Sequence, residues 1–386
     1  MAGRRERRSY PYNPCGGAGP HDKPLKGVPM KLLLAVVTTV LATLALARAD
    51  RGTSPAAATR PAADAAYMNG ILVSPRTAAA IEAELGRIRA MKVETVPGRG
   101  GPAVAAARDG GNDSPADREA AVRRLIEYRY LCFVPHEGIV LDAQYNAHAE
   151  AACGILKEIG RLDHDPPNPG WPADRYALAR RGAGASNIYT DNDPAPGLGV
   201  RSIDAYMNDS DPRNITRVGH RRWCLSPRLG RTGIAAWRGY AALWVRDDSR
   251  RDVPDFDYVA YPAPGPFPVS HFGRRAAFSV QVNEARYQKP DARRVRATIT
   301  PVRVLREQGQ VKPLGGPLKL DFFAIDNSVI GSVQNAVIFR AADLRAEHGA
   351  AYLVEVTGLT PRGDAPATIR YVTEFFAPKI RPISAE

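Results

Sequence analysis

The sequence predicts an α+β protein in which a mixed helical and strand domain precedes an all-β sandwich. Three observations carry this prediction. Apolar residues recur at steps of three or four between residues 74 and 160, which is helical spacing, and they alternate with polar residues beyond about residue 250, which is strand spacing. A proline-rich segment at 261–266 lies between the two patterns and marks a boundary that we place between 250 and 270.

The amino-terminal 49 residues have the pattern of an export leader. An uncharged apolar run at 32–47 follows Met30-Lys31 and ends among small residues at Ala45, Ala47 and Ala49. A positive start, a short apolar stretch and an Ala-x-Ala exit are typical of a cleaved secretory signal, and the run is shorter than a membrane span. We therefore expect a secreted, periplasmic or cell-envelope protein, with a membrane attachment only if the leader stays uncleaved. Met30 is an alternative start to Met1.

The remaining composition argues against nucleic acid as a partner. The formal charge is +13, and residues 1–49 hold eight Lys or Arg and two acidic residues, so the mature chain carries +7. Its arginines are scattered and lack interleaved aromatic residues, which favours a solvated basic surface with an attraction to acidic envelope polymers. Three cysteines follow the leader, Cys132, Cys153 and Cys224, and the sequence leaves open which two would form a disulfide.

The amino-terminal half is predicted to be mainly helical. Residues 50–70 form an Ala, Thr and Pro-rich linker, and 71–113 contain a helix opening at Ser74-Pro75 and then a Gly and Pro-rich loop. A domain at 114–250 opens with a capping box between Ser114 and Asp117. Its next helix carries an apolar stripe that includes His148, which favours a core histidine over a ligand. Later features are a polar stretch up to Leu198, two short helices that carry Tyr206 and His220, and a hairpin around Arg238-Gly239.

The carboxyl-terminal region, 251–386, is predicted to form strands only. Strand-like runs lie near 278–282, 295–304, 318–322, 337–339, 352–356 and 368–376, with turn residues between them. Six short strands in about 110 residues indicate an antiparallel sandwich of immunoglobulin-like size.

Several motifs of the middle domain occur in a recognisable order. They are Tyr128-Arg129-Tyr130, Leu141-Asp142, His148-Ala149, His164, Ser186-Asn187-Ile188, Tyr206 with Asp209, and Gly219-His220-Arg221. This order resembles the CAP superfamily, that is, the SCP-like extracellular domain of cysteine-rich secretory, antigen-five and pathogenesis-related proteins, in its bacterial form. The resemblance spans about 130 residues and implies an α-β-α sandwich.

The resemblance also implies a ligand cleft. Its residues here would be His164, Ser186, Asn187, Asp209 and His220, with His164 and His220 as the pair that holds a divalent metal such as zinc. Ser186 stands where the family has glutamate, and its hydroxyl cannot act as a carboxylate base. A hydrolase triad of Ser186 and His220 with an aspartate lacks the Gly-x-Ser-x-Gly elbow, and Asp191 to Asp193 favour an Asx turn over a calcium site.

These residues lead to three functional hypotheses. The first is an exported binding or surface protein whose cleft around His164, Asp209 and His220 takes a small molecule, lipid, envelope polymer or protein. The alternative is a zinc-dependent hydrolase that uses the same cleft, against which the loss of the glutamate argues. The third is a structural envelope protein with a vestigial cleft. The balance leans away from an enzyme.

Overall fold

The computed structural model describes residues 66–98, 114–193 and 196–379. The predicted leader, most of the linker and the Gly and Pro-rich loop lie outside these residues. The protein is a mixed α/β structure, and the described residues all belong to one compact unit. No helix in the described ranges combines the length and the apolar character that crossing a membrane requires.

The amino-terminal half of the described chain contains six helices. They are α1 (Ala78–Ala90), α2 (Pro115–Leu131), α3 (Ala143–Ile159), α4 (Ala173–Ala185), α5 (Leu198–Asn208) and α6 (Gly219–Cys224). The capping box of Ser114 and Asp117 is confirmed at the start of α2. The predicted start of α1 at Ser74 is wrong: Thr77 caps the helix, and the Ser74 hydroxyl instead accepts a hydrogen bond from the Arg76 backbone N–H.

Helix α4 lies in the stretch that the sequence marks only as polar, and its composition explains why no helix was predicted there. Its charged residues face solvent, and its buried face consists of small residues such as Ala179, Gly182 and Ala183, so no apolar stripe marks the helix. That face packs against α3. A Cβ atom added at Gly182 would lie 2.0 Å from the carbonyl oxygen of His148, so only glycine permits the close approach of the two helices.

Two three-stranded sheets belong to this half. One contains β3 (Thr95–Val96), β4 (Val140–Asp142) and β6 (Arg231–Thr232), and the other contains β5 (Ser186–Thr190), β7 (Ile234–Trp237) and β8 (Tyr240–Trp244) in the order β5-β8-β7. The predicted hairpin is confirmed as β7 and β8. Arg238 and Gly239 both have positive φ, at 48° and 83°, as a two-residue hairpin turn requires.

The carboxyl-terminal half contains strands and two short 3₁₀ turns. Its strands are β9 (Tyr258–Tyr261), β10 (Gly265–Pro268), β11 (Phe278–Val282), β12 (Arg296–Leu305), β13 (Gln310–Pro313), β14 (Leu320–Asp326), β15 (Asn335–Ala341), β16 (Ala351–Thr357) and β17 (Ile369–Phe376). All six predicted strands are confirmed in position. One sheet has the order β14-β15-β11-β9. The other has the order β1-β2-β17-β16-β12-β13, where β1 is Ala66–Met68 and β2 is Ile71–Val73.

The second sheet is not wholly antiparallel, which corrects the prediction. Strand β17 pairs in parallel with both β2 and β10. Strands β1 and β2 come from the amino-terminal side of α1, and β10 comes from the proline-rich segment predicted to be a linker. Parallel partners are distant in sequence, so hairpin spacing could not reveal them.

Buried arginines of α6 join the two halves. The Arg221 guanidinium, 0% exposed, donates to the carbonyl oxygens of Met207 and Asn208 at the end of α5 and to that of Ala277 beside β11. Arg222 reaches Asp326 and the Ser328 carbonyl. Buried guanidinium groups persist only with such partners. The helix therefore has a fixed position against both halves.

A second buried polar cluster links α2 to the segment before β11. His271 Nε2 lies 2.8 Å from Glu127 Oε2 and 2.6 Å from a terminal nitrogen of Arg124. Burial and the charge of Arg124 lower the pKa of His271 from 6.5 to about 4. Burial raises the pKa of Glu127, but the hydrogen bond and charge of His271 and the charge of Arg124 outweigh it and lower that pKa to about 2. The imidazole is thus neutral in the folded protein at neutral pH.

This cluster predicts a loss of stability in mild acid. Because the folded pKa of His271 is below its unfolded value, the unfolded chain takes up the proton first, and stability falls as pH drops from 6.5 towards 4. Glu127 contributes a separate loss only below about pH 4.5. We expect His271→Gln to flatten the change in urea midpoint between about pH 7.5 and about pH 5. The exposed His348→Gln serves as control, and an unflattened profile for His271→Gln would refute the assignment.

Candidate functional site

A cleft of about 1070 Å³ lies between the amino-terminal half and the sheet that contains β14 and β15. Its walls come from the loop after α3, from β5, from the end of α5 with the loop that follows, and from α6. Phe322 of β14 and Arg340 of β15 oppose each other in the strand register and close the remaining side. The residues that line it include Leu162, Asp163, His164, Tyr189, Thr190, Tyr206, Asn208, Asp209, Asp211, Arg213, Asn214, His220 and Arg275.

His220 is held in the cleft by Asp209. The imidazole Nδ1 lies 2.9 Å from Asp209 Oδ1, and the His220 backbone N–H donates to Oδ2 at 2.9 Å. Asp209 thereby satisfies a free N–H at the start of α6, where negative charge is also favoured by the helix dipole. The Asp209 side chain is 1% exposed and that of His220 is 21% exposed. The carboxylate is therefore a buried support, and the imidazole is the group that a ligand meets.

The backbone is strained at Asp209 itself and at Val218, two residues before His220. Asp209 has φ 46° and Val218 has φ 42°, both in the left-handed region that non-glycine residues rarely enter. For a β-branched residue such as Val218 this conformation costs of the order of 1–3 kcal/mol and persists only where packing enforces it. Val218 is fully buried against Ile338 and Ala336 of β15, which provides that packing.

His164 approaches the cleft from the loop after α3. Its Nδ1 lies 2.8 Å from the carbonyl oxygen of Ala183 in α4, so Nδ1 carries the proton of the neutral ring and Nε2 carries the lone pair. Burial, the charge of His220 and that of Arg246 lower the pKa of His164. Neither His164 nor His220 has a hydrogen-bond partner for Nε2 among the described residues. Each ring thus presents one uncommitted nitrogen to the cleft.

The pKa of His220 is displaced in the opposite direction. Burial lowers it, but the hydrogen bond and charge of Asp209 outweigh burial and raise it. We expect Asp209→Asn to lower the pKa of His220, as followed by an NMR titration of its ring protons. Asp211→Asn removes a more weakly coupled carboxylate and should produce a smaller decrease. Equal effects of the two substitutions would show that Asp209 does not hold the ring.

Ser186 and Asn187 lie beneath the cleft and not on its surface. Asn187 is buried, and its side-chain amide donates to the His220 carbonyl oxygen at 3.0 Å. The Tyr206 hydroxyl in turn donates to the Asn187 carbonyl oxygen at 2.9 Å. Asn187 therefore connects β5 to α6 and positions His220 from behind. The buried Ser186 hydroxyl has no hydrogen-bond partner within the described structure and does not line the cleft.

Helix α2 contributes to the same site through Arg129. Its guanidinium is fully buried and donates to the carbonyl oxygens of Cys224, Ser226 and Pro135, with Leu229 at 3.4 Å. No carboxylate of a described residue balances it, and burial lowers its pKa to about 9. These bonds satisfy carbonyl groups at the end of α6 that the helix itself leaves unpaired. Arg129 is therefore a structural support of the helix that carries His220.

The other residues singled out in the sequence are His148, the turn at Asp191 to Asp193, and the three cysteines. His148 is a core histidine, as predicted: its Nδ1 contacts the Leu178 carbonyl oxygen, and its ring stacks on Trp244. The Asp191 side chain accepts from the Asp193 backbone N–H, which confirms the Asx turn. Cys132, Cys153 and Cys224 are buried and form no disulfide with one another, so the pairing that the sequence left open is not made among them. Burial raises the pKa of Cys132 and Cys224 to about 12, which makes both thiols unreactive.

The donor set of the cleft does not fit a catalytic zinc ion. An anchored Nδ1 and a free Nε2 are what zinc-binding histidines have. Catalytic zinc takes three protein ligands, however, and both oxygens of Asp209 already accept hydrogen bonds from His220. The described part of the chain brings no three or more His, Cys, Asp or Glu side chains together as a metal site. The two imidazoles alone are one ligand short.

Comparisons with protein-family models, with curated proteins and with solved structures found no match for this chain. The candidate site therefore rests on geometry. Sequence reasoning missed Arg275, Phe322 and Arg340, which lie beyond the predicted domain boundary. The alternation predicts a strand that contains Phe322 and another that ends just before Arg340, but it does not show which residues those strands face.

Proposed function

We propose that this protein is an exported binding protein and that its ligand occupies the cleft between His164 and His220. One observation carries the proposal: two imidazoles, one from the loop after α3 and one from α6, line one cleft, each with Nδ1 held by the protein and Nε2 uncommitted. A neutral ring in this state accepts a hydrogen bond, and a protonated ring donates one. The pair suits recognition of a polar ligand.

The finer fold assignment is part of the same proposal. We assign 114–250 to a CAP-like α-β-α sandwich and 251–386 to an immunoglobulin-like sandwich. The order of α2, α3, β5, α5, α6 and the β7–β8 hairpin along the chain supports the first assignment. The apolar run at 32–47 supports export to the cell surface or periplasm. A small molecule, a lipid, an envelope polymer and a protein are the ligand classes that this family resemblance implies.

The hydrolase alternative has less support. It needs a bound zinc and a general base beside the attacking water. Ser186 replaces the carboxylate that would act as base, and Asp209 is buried and engaged with His220. The binding hypothesis needs neither group.

Retention of molecules from an envelope extract tests the proposed function. The full chain, exported by its expression host and purified, is incubated with a bacterial envelope extract, and retained molecules are identified by mass spectrometry. The same is done with the double variant His164→Ala/His220→Ala and with His348→Ala, an exposed histidine outside the cleft. We expect a molecule that the parent and His348→Ala retain and that the double variant loses.

Two outcomes contradict the proposal. If all three proteins retain the same molecules, binding does not use the imidazoles. If none retains any, the cleft has no such ligand, and the structural hypothesis with a vestigial cleft is favoured. Circular dichroism of the double variant checks that a loss of retention does not come from unfolding.

A further inference from the structure

The lining of the cleft carries positive charge that no described residue pairs. Arg213 lies on the loop after α5, and Arg275 lies just before β11; both are exposed and both line the cleft. Neither guanidinium has an ion pair or side-chain hydrogen bond with another described residue. Each therefore keeps all five N–H donors for a group that comes from solvent.

The acidic residues of the cleft, by contrast, are already engaged. Asp209 is bound to His220. Asp211 accepts from the Arg213 backbone N–H and from the Asn214 side chain, and so stabilises its own turn. Asp163 pairs with Arg161 and accepts from the Asp165 backbone N–H. The lining has as many aspartates as arginines. Because the aspartates are engaged within the protein, the charge that remains available to a ligand is positive.

Arg340 supports Arg275. Its guanidinium contacts both oxygens of Asp321 across the strand pair and also donates to the Arg275 carbonyl oxygen at 3.3 Å. The positive charge of Arg340 is therefore neutralised by Asp321. Its bond to the backbone holds the Arg275 segment at the edge of the cleft, so that the carboxyl-terminal half contributes to ligand contact.

The remaining lining favours a sugar chain over a lipid tail. Hydroxyl and amide groups lie along the cleft, on Thr190, Asn208 and Asn214. The Thr190 hydroxyl donates to the Gly239 carbonyl oxygen and the Asn214 amide donates to Asp211, and both groups keep further hydrogen-bonding capacity that a sugar hydroxyl can use and a lipid tail cannot. Tyr189 and Phe322 add half-buried aromatic surface, against which the apolar face of a sugar ring can pack. The cleft is also open to solvent, as an extended polymer requires.

We propose that the ligand of this cleft is an acidic glycan segment, whose carboxylate or phosphate groups are bound by Arg213 and Arg275. This inference rests on the proposed binding function of the cleft and adds the ligand class. Arginine is suited to such groups because its planar fork donates two parallel hydrogen bonds to one oxyanion. The affinity should fall as salt rises, since both guanidiniums are exposed.

Binding of a defined acidic glycan and of its neutral ester tests the inference. Calorimetric titration of the full chain with tetragalacturonate and with its methyl ester compares two ligands with the same sugar backbone, of which only the acid carries negative charge. We expect the acid to bind at least about tenfold more tightly, and Arg213→Gln/Arg275→Gln to remove this preference, because one charge-assisted hydrogen bond contributes about that factor. Arg217→Gln, an exposed arginine of the same loop outside the lining, should keep it. Competition by inorganic phosphate tests whether phosphate shares the site.

The outcomes separate this inference from the proposed function. Equal binding of acid and ester, lost in His164→Ala/His220→Ala, overturns the acidic ligand but leaves the cleft as a binding site. A preference for the acid that survives in Arg213→Gln/Arg275→Gln overturns the role of the two arginines. Absence of binding to either glycan overturns the glycan assignment, and retention from the envelope extract then decides on the proposed function by itself.

Discussion

Replacing Arg221 by methionine is expected to lower the free energy of unfolding by about 3 kcal/mol or more. The guanidinium is fully buried and donates to the carbonyl oxygens of Met207, Asn208 and Ala277 and to the Ser279 hydroxyl. Methionine fills similar space but leaves these acceptors without donors in a place that water does not reach. Each such loss costs about 1–3 kcal/mol. Urea unfolding of the parent and the variant measures the difference.

A matched control is available on the loop before α6. Arg217 is 56% exposed and lies 3.9 Å from Asp326, so Arg217→Met should change the stability by no more than about 0.5 kcal/mol. If Arg221→Met were as mild as Arg217→Met, the buried arginine would not join the two halves as described. A second transition that appears only in Arg221→Met would show that the halves unfold separately once this connection is lost.

Gly182→Val should cause the second large loss of stability, about 3 kcal/mol or more, because it forces α3 and α4 apart. The first atom of the new side chain would lie 2.0 Å from the His148 carbonyl oxygen and 2.8 Å from its carbonyl carbon. Both are backbone atoms, so no side-chain rotation can relieve the clash. The same shift displaces Ala183, whose carbonyl oxygen holds His164. Thermal unfolding measures the loss.

Gly154→Ala in α3 provides the comparison. An added Cβ there meets only an atom of the Trp171 ring at 3.4 Å, which is ordinary contact. Alanine is also favoured over glycine in a helix by about 1 kcal/mol. Gly154→Ala should therefore be neutral or stabilising. A Gly182→Val protein as stable as the parent would mean that α3 and α4 do not pack as closely as the structure indicates.

The elements that could be predicted from the sequence are those with a local signal. The capping residues Ser114 and Asp117 marked the start of α2, alternation located six carboxyl-terminal strands, and Arg238-Gly239 marked the hairpin. Helix α4 had no apolar stripe because its packing face consists of small residues such as Ala179. The parallel neighbours of β17 come from segments far away in the chain, for which no local pattern exists.

The same distinction applies to the candidate site. The histidines could be identified because their motifs occur in order along the chain, and the structure brings His164, Asp209 and His220 to one cleft. The supports of these residues could not be predicted. Arg129 and Arg221 are fully buried, whereas an arginine in a sequence is ordinarily taken as a surface residue. Nothing local to Arg275 shows that a strand edge carries it to the cleft.

The account depends most on His164 and His220 facing each other across one cleft, and an NMR titration of His164 in the His220→Gln protein tests this most directly. The charge of His220 lowers the pKa of His164 in the structure. Removing that charge should therefore raise the pKa of His164, so that its ring protonates at a higher pH than in the parent. An unchanged titration of His164 would place the two rings outside each other's electrostatic range and would contradict the shared cleft.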